Sequence, residues 1–181
     1  MNNANPKNQL SFKGIITAII IAALAVASMS CFYTIDTGER GVVLRFGKLI
    51  NVSGEGLNFK VPAMDDVKIM SVRDQNLTIK TEVSSSDIQT IAVEVSLVYS
   101  LNPNEVGKVF QTYGMNIENT LIRPTLSEKI NAVIADYPIE TFVEKRAEIS
   151  SRINTAFAEQ VAGNGIIVKS LLITNHDFSD D

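Results

Sequence analysis

One histidine, one cysteine and no tryptophan leave this 181-residue chain few ways to do chemistry. A single cysteine excludes an internal disulfide framework and any cysteine-based zinc site. The lone histidine, His176, sits between Asn175 and Asp177 near the C-terminus. No H-E-x-x-H, G-x-S-x-G or G-x-x-x-x-G-K-[ST] pattern accompanies it, so neither a zinc hydrolase, a serine nucleophile nor a phosphate cradle is written here. The serines of "SSSD" (84–87) read as turn formers between strands. The carboxylate pairs Asp65-Asp66 and Asp180-Asp181 read as solvated, since neighbours in a strand point apart. No cofactor, metal site or active site is expected.

Charge is missing in one place and lopsided elsewhere. Residues 14–32, "GIITAIIIAALAVASMSCF", contain no charged side chain, and all twenty carboxylates lie beyond them. Fourteen of the sixteen basic residues also lie beyond, so the remainder carries −6. A domain of that sign releases no counterions from a phosphate backbone, which argues against nucleic acid as a partner.

As a helix the apolar run would be about 28 Å long, close to a hydrocarbon thickness of about 30 Å. Gly14, Ile15, Ile20, Leu24, Val26 and Phe32 are among its expected membrane-anchor residues. A cleaved secretory signal would use the weak small-residue site in "AVASMS". A lipoprotein signal would cut before Cys31, although the leucine usual three residues earlier is absent. A buried soluble helix would show a polar stripe, and this run has none. The uncleaved single-pass anchor is the reading taken forward. Lys7 and Lys13 precede the run, whereas Arg40, Arg45 and Lys48 follow only at a distance, so the N-terminus is expected inside and the domain on the translocated side.

Beyond the anchor the hydrophobic period is two as far as Leu101. "GVVLRFGKLINV" predicts two strands turning at Gly47-Lys48, and "SGEG" (53–56) another turn. "GLNFKVP" sets Leu57, Phe59 and Val61 against Asn58 and Lys60. "LTIKTEV" and "IAVEVSLVYSL" alternate along their whole length and are joined by "SSSD". The period then becomes helical. "NPNE" (102–105) predicts a capped helix start, followed by a helix over 117–137 disturbed at Pro124 and a third over 139–162 with an outward Glu148–Arg152 pair. "GNG" ends the third helix, and 166–174 predicts a buried closing strand. Strands, helices and one final strand make an α+β fold. The expected divisions are a tail (1–13), an anchor (14–32), a β-rich part (33–101), an α/β part (102–178) and an end tail (179–181).

Four segments, in order, resemble the stomatin/prohibitin/flotillin/HflK-C family, also called SPFH or band 7, and its prohibitin and HflC side in particular. They are "GERGVVLRFGK" (38–48), "GEGLNFKVPAMDDVKIMSVRDQ" (54–75), "DIQTIAVEVSLVYSL" (87–101) and "EKRAEISSRINTAFAEQVAGNGIIVKSLLITNHDF" (144–178). The resemblance implies a non-enzymatic scaffold that organises a membrane microdomain. Its partners would be the lipid bilayer, self or paralogous subunits in a ring or cage, and a membrane-bound AAA protease that it encloses or modulates. Localisation would be a bacterial inner membrane with a periplasmic domain, or a mitochondrial inner membrane. Family members usually continue into a coiled coil where this sequence reads "HDFSDD". The alternative is a monomeric anchored or lipoprotein-type binding module. Two surfaces are singled out. Phe59, Val61, Pro62 and Met64 form either a tip in the lipid interface or a strand end in the core. Glu144, Lys145, Glu148 and Arg152 form either a solvated helix face or a lateral contact between copies.

Overall fold

In β6 (Gln75–Ser84) and β7 (Thr90–Leu101) the alternation of the sequence becomes a wet and a dry face. Leu77, Ile79 and Val83 of β6 and Ile91, Val93, Val95, Leu97 and Tyr99 of β7 are buried together on the dry face, while Thr78, Lys80 and Glu82 stay in water. The computed structural model describes residues 14–21 and 30–178. β8 (Ile166–Phe178) pairs antiparallel with β7 to complete a sheet of order β6-β7-β8. It runs four residues beyond the expected 174, because its backbone follows β7 as far as Ile91 and takes His176 into the ladder opposite Val93.

Helices cover the dry face. α1 (Val106–Tyr113) begins after a turn rather than at Asn102. Asn102 Oδ1 accepts the Asn104 N–H (3.1 Å) while its own N–H donates to Gly165 (2.9 Å), so the expected cap serves the turn instead. A π-helical turn (Glu118–Ile122) runs without a break into α2 (Arg123–Ile134), and Pro124 stands at their junction. The expected third helix is split into α3 (Ile139–Phe142) and α4 (Arg146–Val161). The split falls where Lys145 leaves helical geometry (φ −96°, ψ 11°) and Arg146 turns to bind the Ile173 carbonyl. Leu126, Ile130, Ile134, Ile149, Ile153 and Phe157 are the fully buried layer over the sheet.

The first half forms a second sheet, order β3-β2-β5, from β2 (Glu39–Arg45), β3 (Lys48–Ser53) and β5 (Asp65–Ser71). The β2–β3 turn lies at Phe46-Gly47, one residue earlier than expected, both with positive φ (50° and 80°). A separate ribbon pairs β1 (Phe32–Ile35) with β4 (Gly56–Phe59). Val42 and Met70 share one core with the second half. The halves meet where α1 lies on β3. A Cβ on Gly107 would stand 2.9 Å from Val52 Cγ2, so glycine permits this approach.

Residues 14–21, which include Gly14, Ile15 and Ile20, are helical and exposed. Leu24 and Val26 lie outside the described residues. Among the described residues no helix is long and apolar enough to cross a membrane. The expected end of the anchor at Phe32 is corrected. Lys60 donates its N–H to the Cys31 carbonyl (2.7 Å) and Phe32 pairs with Phe59, so these residues already belong to the folded domain.

Candidate membrane-facing site

In the β1–β4 ribbon the apolar stripe of the sequence points outward. Cross-strand partners share a face, so the register Phe32↔Phe59 and Thr34↔Leu57 puts Phe32, Leu57 and Phe59 together. They are 56%, 72% and 63% exposed. The rings of Phe32 and Phe59 meet edge to face at 5.9 Å. The opposite face is tied to the body. Ile35 is buried over Gly41, where an added Cβ would lie 2.5 Å from Ile35 Cδ1. The Tyr33 hydroxyl donates to Ser53 Oγ at 2.8 Å. The alternation of "GLNFKVP" thus yields the expected strand, and Phe59, left open between an interfacial tip and the core, is exposed. Phe59 is not core.

The turns beside the ribbon extend this apolar surface. Phe46 is 78% exposed in a left-handed conformation, and Met64 is exposed two residues past the half-buried Pro62. The Phe46 N–H donates to the Met64 carbonyl at 3.2 Å. Asp65 staples the arrangement. Its carboxylate, only 3% exposed, accepts from Arg45 Nε (2.7 Å), Arg45 Nη2 (3.0 Å) and the Val61 N–H (2.8 Å). Hydrogen bonds from Arg45 and from Val61 hold its pKa down at about 2. Val61, Pro62 and Met64 are therefore carried by a fixed turn next to Phe46.

The segment joining ribbon to body is also fixed. Gly38 (φ +82°) lies under the Arg73 side chain, and the Arg73 guanidinium donates to the Thr37 carbonyl. The Val72 N–H donates to the Gly38 carbonyl at 2.9 Å. The sequence gives no sign of this clamp, because Thr37 and Arg73 lie 36 residues apart.

The second expected surface is a different object. Glu144 and Lys145 are exposed. Glu148 and Arg152 do not pair along the helix; both meet Tyr137. The Tyr137 hydroxyl donates to Glu148 Oε1 (2.7 Å) and accepts from Arg152 Nη1 (3.0 Å), whose Nη2 donates to Asp136 (2.9 Å). Lys145 Nζ and Arg152 Cζ stand 5.7 and 5.4 Å from the Tyr137 ring centroid. The Tyr137 ring is buried, and its hydroxyl orders the helix face. Among the described residues no group of three or more His, Cys, Asp or Glu side chains could hold a metal ion.

Comparison with known proteins agrees with this architecture. The profile of the SPFH domain / Band 7 family matches residues 33–181. The mitochondrial prohibitin complex protein 1 of Caenorhabditis elegans is 24% identical over 153 residues, 83% of this chain and 56% of that protein. Prohibitin-7, mitochondrial, of Arabidopsis thaliana is 26% identical over 154 residues (84% and 55%), and prohibitin-2 of Mus musculus 22% over 160 (87% and 54%). The chain spans about half the length of these relatives. With the profile covering nearly all of the sequence beyond the apolar run, the chain belongs to the SPFH domain / Band 7 family and is a prohibitin-like member of it.

Proposed function

We propose that this protein is a membrane-anchored, non-catalytic scaffold whose copies, or paralogous subunits, stand side by side on a bilayer as a ring or cage. The apolar run from Gly14 up to the start of the folded domain at Cys31 supplies the anchor, with the N-terminus inside and the domain translocated, in a bacterial or mitochondrial inner membrane. The observation that carries the reading is the Phe32/Leu57/Phe59 face, an apolar surface that the domain leaves uncovered directly after the apolar run. Lipid is the occupant that the anchor already brings to it. Phe46, Val61, Pro62 and Met64 lie beside this face as the interfacial tip.

The mounting supports the scaffold role. The Cys31–Lys60 bond, the ribbon and the Arg73 clamp tie the start of the domain to its body, which supports copies that meet the membrane in one orientation. Glu144, Lys145, Glu148 and Arg152 then form the lateral contact, Glu144 and Glu148 of one copy meeting Lys145 and Arg152 of the next. Tyr137 holds Glu148 and Arg152 in advance, which lowers the entropy lost on contact. A membrane-bound AAA protease is the proposed client within the enclosure.

The test is the size of the full-length chain extracted in mild detergent. A large closed particle is expected. Lys145→Glu with Arg152→Glu should shrink it without unfolding the protein, and salt at about 0.5 M should loosen it by screening. Monomers at every concentration would refute the scaffold and leave an anchored binding module.

A further inference from the structure

The sheet β6-β7-β8 ends in two strand edges, and among the described residues no other strand pairs with either. On β8 the open edge can be read residue by residue. Ile173 donates its N–H to Ser150 Oγ (3.4 Å) and its carbonyl accepts from Arg146 Nε (3.0 Å), so both backbone groups point away from β7 and α4 closes them. Direction alternates along a strand, and the register is unbroken from Ile173 back to Ser170. Leu171 therefore turns its N–H and C=O the same way. Among the described residues no side chain bonds to either group.

Beside Leu171 a groove of about 870 Å³ runs between α4 and β8, lined by Val143, Ala147, Asn154 and Leu172 among others. Asn154 Oδ1 is buried with no donor. An unpaired N–H, an unpaired carbonyl and an orphan amide oxygen call for an occupant with donors and acceptors spaced along a line. An extended polypeptide has that chemistry. Val143 and Leu172, both exposed, add apolar surface for its side chains.

We infer that this occupant is strand β6 of a second copy, so that neighbouring copies join sheet to sheet, β8 against β6. β6 is the other open edge of the same sheet. It pairs with β7 from Gln75 to Ser84 with no bulge and contains no proline, so it lacks two of the usual devices that keep an edge from pairing. β6 and β8 are both antiparallel to β7 and so run the same way. Copies related by a modest rotation about a ring axis keep that direction, and the joint is a parallel ladder. Such a contact uses two different surfaces and propagates head to tail, which closes into a ring when the rotation allows. This inference rests on the oligomeric scaffold and adds a backbone joint to the charged contact of α4.

The test uses the full-length chain in membranes, with Cys31→Ser as background. Leu172→Cys is combined in turn with Thr78→Cys, Lys80→Cys and Glu82→Cys, all at exposed positions, and mild oxidation is followed by non-reducing electrophoresis. At least one combination should give dimers, trimers and higher bands, whereas each single-cysteine chain stays monomeric. Hydrogen exchange at the Leu171 amide should slow by at least tenfold in the particle relative to dissociated monomer. Dimers from Leu172→Cys alone would mean a two-fold β8–β8 joint and overturn the inference. A large particle with no cross-link from any combination would overturn it and leave the scaffold standing. Absence of any particle would remove both.

Discussion

Replacing Leu57 and Phe59 with serine should abolish lipid binding by the folded domain while leaving its stability intact. Side chains of this size present about 150–250 Å² each. At exposures of 56%, 72% and 63%, Phe32, Leu57 and Phe59 together offer roughly 350 Å² to water. Complete burial would yield about 9 kcal/mol at about 25 cal/mol per Å². An interfacial face is covered from one side, so about half, roughly 4 kcal/mol, is the reachable value. That corresponds to a partition constant on the order of 10³ M⁻¹, measurable at millimolar lipid. Removing two of the three side chains should cost about 3 kcal/mol, roughly a hundredfold in partition. The assay is co-sedimentation of residues 30–181 with phosphatidylcholine vesicles, since among the described residues every buried hydrophobic residue lies from Ile35 onward. Circular dichroism should report the same melting temperature for both proteins. A double variant that partitions within threefold of the parent, or a parent that does not bind at all, would refute the reasoning.

Three further outcomes follow from particular contacts. Asp65, held at about 2 against an ordinary 3.8, stabilises the tip above about pH 4 and loses this effect as pH falls toward 2; Asp65→Asn should remove that part of the acid dependence, read from hydrogen exchange at Val61. Gly107→Val drives a branched side chain into Val52, and overpacking of about 1–3 kcal/mol should lower Tm by several degrees. Tyr137→Phe leaves Glu148 and Arg152 without their shared hydroxyl and should cost about 0.5–1.5 kcal/mol in urea unfolding.

Legibility in the sequence tracked how local each cause was. The strands β6 and β7 were readable because each carries at least three alternating pairs, which pins both the element and its buried side. The ribbon strand "GLNF" was readable as a strand only. Its four residues fit either face, and the choice is made by Gly41 admitting Ile35 from the far side of β1. The outward direction of Leu57 and Phe59 therefore depends on a contact between distant segments. The π-helical turn at Glu118–Ile122 has no residue signature, since Glu118 is drawn in by the Tyr99 hydroxyl (2.8 Å) across the fold. The split between α3 and α4 likewise follows from Arg146 reaching Ile173. Both candidate surfaces stay open between two readings in the sequence, because the anchoring contacts of Asp65, Arg73 and Tyr137 are made with partners outside the local period.

The central claim is that this domain rests on lipid through its apolar face, and the absence of native tryptophan makes it directly measurable. Phe59→Trp places the only indole of the intact chain at the centre of that face. In bilayers containing lipids brominated at known depths, the account predicts blue-shifted emission. Quenching should be strongest from labels about 5–10 Å below the headgroup boundary. Emission like that of a water-exposed indole, unquenched at every depth, would contradict it.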